Sequence, residues 1–193
     1  MDITWRDLMT VFHGMGFGAL FVLAFSGGIL ELYRLTAPDS TTVPNHRESA
    51  WLRFYLTGMT VLAWCAVFSG AYIIYPWYRA IAPAGIGNFS AFPQKLLLSS
   101  PATSDWHNLG MEWKEHVAWI APISITMVAY IYAKYGPNLK LHTTLRKAAL
   151  IFMLAGFVAA GVAATFGAFL NKYAPVRGGE TIHLMKRVND GKI

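Results

Sequence analysis

Ten residues, HNLGMEWKEH at 107–116, gather two histidines, two glutamates and a lysine just ahead of a long apolar run. Another histidine, His13, lies inside the first apolar stretch, in the run HGMGFG. Burying an ionisable side chain in such a run is costly, so it marks a functional site by default. Neutral imidazole is the commonest protein ligand for metals, and two imidazoles from separate helices can hold haem iron from both sides. His13 and His116 are therefore the candidate metal ligands, with His107 as the alternative to His116. Gly14 and Gly16 lie within a turn of His13 and would let a porphyrin face approach. Arg79, Lys114 or Arg6 could pair with its propionates.

Blander and rival readings use the same residues. A histidine near a membrane surface often just bonds a carbonyl, and Glu112, Lys114 and Glu115 could be the charged first turn of a helix. Glu112 and His116 are four apart and share a helix face; with His107 they could take a non-haem metal, although this stretch contains neither HExxH nor ExxH. Met9 and His13 have the same spacing, and thioether plus imidazole suits copper(I). The single cysteine, Cys65, excludes an intrachain disulfide, CxxCH haem attachment and a four-cysteine cluster. Neither a phosphate loop nor a nucleophile paired with a base is present. The net charge of +6 sits in connections and tail, and without a recognition motif it does not indicate nucleic acid.

The elements that must position these groups are membrane spans. Of 193 residues, 55% are hydrophobic and 13% charged, against about 25% charged in soluble domains. Four segments reach spanning length: residues 8–32, 52–75, 115–135 and 145–170. Hydrocarbon forces each to satisfy its own backbone, so the expected fold is all-α, an antiparallel bundle of four transmembrane helices in one domain covering 1–193. The apolar run after Arg6 is too long for a cleaved signal and is read as a span.

Breakers agree with these limits. TAPDSTTVPNHRES separates the first two spans, and YGPNLKLHTT the last two, with Thr143 or Thr144 available as an N-cap. The connection 76–114 is long enough to expect folded structure, with FPQKLLL as a short interfacial turn. Pro122 should bend the third span by freeing the carbonyl near Ala118. Gly156, Ala160, Ala164 and Ala168 in span four, and Gly14 and Gly18 in span one, are small-residue stripes suited to close helix packing. Glu31 and Arg34 are expected as an interfacial ion pair.

Four spans place both termini on one side, side A, together with the long connection and the basic tail 171–193. Trp77, Tyr78, Trp106 and Trp113 are read as part of the aromatic belt there. Lysines and arginines are denser in the side-B connections, which puts side A outside the cytoplasm of a bacterial inner membrane. In architecture alone the plan resembles haem b membrane subunits of respiratory complexes; no motif of such a family supports it.

These readings lead to a non-catalytic membrane subunit of an electron-transfer complex. It would bind one b-type haem through His13 and His116 and relay electrons between a quinol and a redox partner on side A. The alternatives are a cofactor-free accessory subunit docked on other membrane subunits, and a subunit ligating a chlorophyll-type pigment through one histidine.

Overall fold

Four helical runs have the length and apolar composition to cross a membrane. In the computed structural model, which describes residues 2–37 and 45–183, they are α1 (Trp5–Thr36), α2 (His46–Tyr78), α4 (Pro101–Leu141) and α5 (Thr143–Tyr173). A short helix, α3 (Pro93–Leu98), lies between α2 and α4. Lys186, Arg187 and Lys192 of the basic tail, and most of the polar connection after α1, lie outside the described residues.

Local chemistry sets most helix starts. Thr4 Oγ1 accepts from the Asp7 amide at 3.2 Å, while the Asp7 carboxylate accepts from the Thr4 amide at 3.1 Å. Asn45 and Glu48 make the same reciprocal pair at 2.8 and 3.0 Å. Each box satisfies two donors that a helix start would otherwise leave orphaned. The threonines expected to cap α5 do not do so. A 3₁₀ turn, Gly136–Leu141, runs almost directly into α5, so His142 is the N-cap and both threonines fall inside the helix.

The third helical run departs most from the sequence reading. It begins at Pro101, not Glu115, so the connection from α2 is shorter and HNLGMEWKEH is helical throughout. Ser100 supplies the start: its hydroxyl accepts from the Ala102 amide at 3.3 Å, and Pro101 occupies the first turn, where a missing N–H costs nothing. Pro122 acts as expected. It leaves the Ala118 carbonyl free, the Ala121 amide takes it at 3.1 Å, and regular α-helix resumes at Ile120.

A short strand near the end of the described residues was not foreseen. Thr181–His183 pairs antiparallel with Asp2–Thr4, so the two ends of the described chain are tied together. Gly178 and Gly179 make the approach with φ of 102° and 87°, where a Cβ would be strained.

α1 packs on α2 and α5, and α4 packs on the same two helices. Near Pro122, α4 and α5 approach so closely that a Cβ at Gly156 would stand 3.4 Å from the Ala121 carbonyl oxygen. Around this contact lies the main core, including Leu52, Leu56, Ile125, Val128, Tyr132 and Met153. Outward faces are also apolar: Leu23, Leu30 and Phe54 are each about 70% exposed. The Gly14 end of the span-one stripe is different, because a Cβ there would meet nothing within 4 Å.

Substituting Gly156→Leu should therefore wedge α5 from the rigid backbone of α4 and destabilise the fold by about 1–3 kcal/mol. Gly14→Ala should leave stability unchanged or slightly raised. Thermal unfolding of the two purified variants checks both.

Candidate functional site

Four stretches of the long helices are π-helical: Phe12–Ala19, Gly70–Ile74, Trp106–Met111 and Trp113–Val117. All lie toward one end, the one expected as side A, and they carry or flank His13, Tyr75, His107, Lys114 and Glu115. A π turn widens the helix and bonds i to i+5, a geometry that is rare and recurs at functional sites. In α2 it takes the form of the Tyr75 amide bonding the Gly70 carbonyl.

Gly70 is the floor for His13. A Cβ there would come within 2.8 Å of His13 Cε1, so only glycine leaves the ring its place. His13 Nδ1 lies 3.0 Å from Ser69 Oγ, and the Ser69 hydroxyl donates to the Ala66 carbonyl at 3.1 Å. With that proton committed, Nδ1 is the donor to Ser69 and Nε2 keeps a bare lone pair. Lys114 is near enough to act electrostatically on His13. Its half-buried ammonium lies against Gly167 of α5, where a Cβ would be 2.9 Å from Nζ, and it makes no ion pair among the described residues.

A separate hydrogen bond in the same region joins α2 to α4. The Tyr75 hydroxyl donates to Glu115 Oε2 at 3.0 Å, while Glu115 Oε1 is buried without a partner among the described residues. Arg79 covers Tyr75 from outside, its guanidinium carbon 5.6 Å from the ring centre. Tyr78, expected in the aromatic belt, is instead buried and hydrogen-bonded to His107 Nδ1 at 2.8 Å. Gln94 of α3 reaches the other His107 nitrogen at 3.4 Å. Leu97 of α3 is fully buried, in a smaller core with Tyr78, Met111, Leu170, Ala174 and Val176. That packing seats α3 against the helix ends and holds Gln94 in reach.

His116 lies apart from this network. Its side chain is 70% exposed, its Nδ1 sits 3.0 Å from the Glu112 carbonyl oxygen, and Glu112 Oε2 is 3.4 Å away. His13's segment packs on α2 and α5, whereas His116's packs on α5 and the preceding turns of α4. No hydrogen bond or ring contact joins His13 to His116 among the described residues. His107 has both nitrogens engaged. Among the described residues no group of three or more His, Cys, Asp or Glu could hold a metal ion, so Glu112, His116 and His107 do not assemble as a set. Gly14 faces open space, and a Cβ at Gly16 would meet only Phe12 of its own helix.

Of the residues singled out in the sequence, His13, Lys114 and Arg79 border the network and His116, Gly14 and Gly16 do not. Ser69, Gly70, Tyr75, Tyr78 and Gln94 were missed. Tyr75 and Tyr78 carried a signal, three residues apart at a helix end, but it is the same signal an interfacial aromatic gives.

Tyr78→Phe should free His107 and loosen the seat of α3. The expected cost is about 1 kcal/mol for a lost hydrogen bond, seen as lower thermal stability together with faster limited proteolysis between Arg79 and Ser100. No family model matches this chain, and neither does any curated protein or solved structure.

Proposed function

We propose that this chain is a membrane subunit of an electron-transfer assembly, in which the network from His13 to Glu115 binds a quinol head group and accepts its protons. The four helices cross the bilayer antiparallel, with both termini and the network on side A, outside the cytoplasm. The observation that carries this reading is the convergence of four π-helical segments on one set of partly satisfied acid and base groups.

The chemistry follows from what each group lacks. Oxidising a quinol releases two protons and two electrons. Glu115 Oε1 and His13 Nε2 are acceptors without a donor. They sit on either side of the Gly70–Tyr75 turn, and Lys114 supplies positive charge for a developing quinolate. The electrons pass to a one-electron acceptor held by a partner subunit. Glu115 would take one of these protons, with the Tyr75 hydroxyl holding its other oxygen in place.

A second reading keeps a haem and rests on His13 Nε2. That nitrogen could hold an iron from one side, and the haem would supply one-electron transfer. Arg79 and Lys114 would be the cations available to pair with its propionates.

Titrating the purified chain with a short-chain quinone, read by tryptophan fluorescence, tests the first reading. His13→Ala and Glu115→Gln should each weaken binding about tenfold or more, the loss of one buried hydrogen bond to a polar head group, while His116→Ala leaves it unchanged. Absent quinone binding, or equal binding in all variants, would discard it. A Soret band with reduced α and β bands, lost in His13→Ala and kept in His116→Ala, would instead support the second.

A further inference from the structure

At the opposite end of the helices from His13, Arg146 of α5 is only 9% exposed. Its Nε donates to Thr36 Oγ1 at 3.3 Å, its guanidinium carbon stands 4.7 Å from the Tyr33 ring centre, and Nη2 is buried with no acceptor. Among the described residues the acids of this end are already committed: Glu31 and Glu48 pair with Arg34 at 2.7 and 3.0 Å. No carboxylate pairs with Arg146 among the described residues. A nearly buried cation left this way is expensive and lacks an anionic partner.

Next to it runs a groove of about 440 Å³ between α1 and α5, lined by Ile29, Leu30, Tyr33, Leu150, Ile151 and Leu154. Tyr33 belongs to both features, as a wall of the groove and as the ring beneath the guanidinium. Leu150 is one helical turn from Arg146. A cation short of an acceptor therefore sits at the head of an apolar channel, on the outer surface of two spanning helices.

We propose that Arg146 and this groove bind an anionic phospholipid, with the phosphate on the guanidinium and one acyl chain between α1 and α5. Charge selects the head group, because a planar guanidinium bonds phosphate oxygens in pairs. The apolar lining suits part of an acyl chain, over about 6 Å of helix length between residues 29 and 33 and between 150 and 154. The inference rests on the membrane-spanning reading but not on any quinone or haem.

The test uses the full chain purified in a mild detergent, with phosphatidylglycerol and phosphatidylcholine added separately. Lipid retention is read by native mass spectrometry and stability by thermal unfolding. Phosphatidylglycerol should be retained and raise the melting temperature by several degrees more than phosphatidylcholine. Arg146→Gln should weaken its retention about tenfold, as loss of a charge-assisted bond implies, while Lys147→Gln should not. Leu154→Trp keeps the charge and fills the groove, so it should also reduce retention; it keeps the proposal testable if Arg146→Gln fails to fold. Equal effects of the two lipids would overturn the site. Inorganic phosphate stabilising the chain as strongly as the lipid would overturn it too, by assigning Arg146 to a soluble anion. Carbonate extraction of native membranes separates the two levels: a released chain overturns the membrane reading and this one together, whereas a retained but lipid-indifferent chain overturns only this one.

Discussion

Each long segment of this chain satisfies its backbone within itself, and the rest of the structure depends on that. Because α1, α2, α4 and α5 leave so few peptide groups unbonded, their outer faces can be apolar without exposing polar backbone. Helix ends are where this self-sufficiency fails, and there side chains step in: Thr4 with Asp7, Asn45 with Glu48, and Ser100 before Pro101. The polar network around His13 lies toward an end for the same reason. Only there does the chain have spare donors, spare acceptors and a folded connection to hold them.

Two ends of one bundle of helices thus do different work. At the Arg146 end the helices are regular apart from the 3₁₀ turn Gly136–Leu141, Gly156 lets α4 and α5 touch, and a core of close-packed leucine, isoleucine and methionine fixes their positions. Packing at that density resists movement. Toward the His13 end the helices widen into π turns and the core is smaller, filled by Tyr78, Leu97, Met111 and Leu170. Stacking of Trp106 on Phe169 at 4.5 Å, and Gly110 on Phe166, keeps the early turns of α4 against α5 despite the irregular backbone. A rigid half carries a half whose geometry is set by side chains.

Much of this was legible in residue order. The four apolar runs, the Glu31–Arg34 pair, the helix at PQKLLL and the effect of Pro122 all follow from local rules of length, charge spacing and backbone chemistry. What escaped was direction. An α-helix turns about 100° per residue, so each extra residue absorbed by a π turn swings every later side chain to a new face. Two such insertions precede or include His116, and a depth argument based on regular helices could not place it beside His13. Hydropathy does not report a π turn, because the residues stay apolar whichever carbonyl their amide chooses. Pairing of Asp2–Thr4 with Thr181–His183 was hidden for another reason: short strands far apart in sequence carry no periodicity to read.

The same irregularity explains why the charges of HNLGMEWKEH divide as they do. On a uniform helix Glu115 and His116 would both lie on faces neighbouring that of Glu112, with the two carboxylates three residues apart repelling each other. Here Glu112 and His116 pair outward, 3.4 Å apart, while Glu115 is turned inward to Tyr75 and Lys114 toward Gly167. Splitting the group leaves the inner carboxylate with one unbonded oxygen and the inner ammonium without a counter-ion among the described residues. Keeping them apart and inward makes sense when both are held for a third group, one with a proton to give and negative charge to be stabilised.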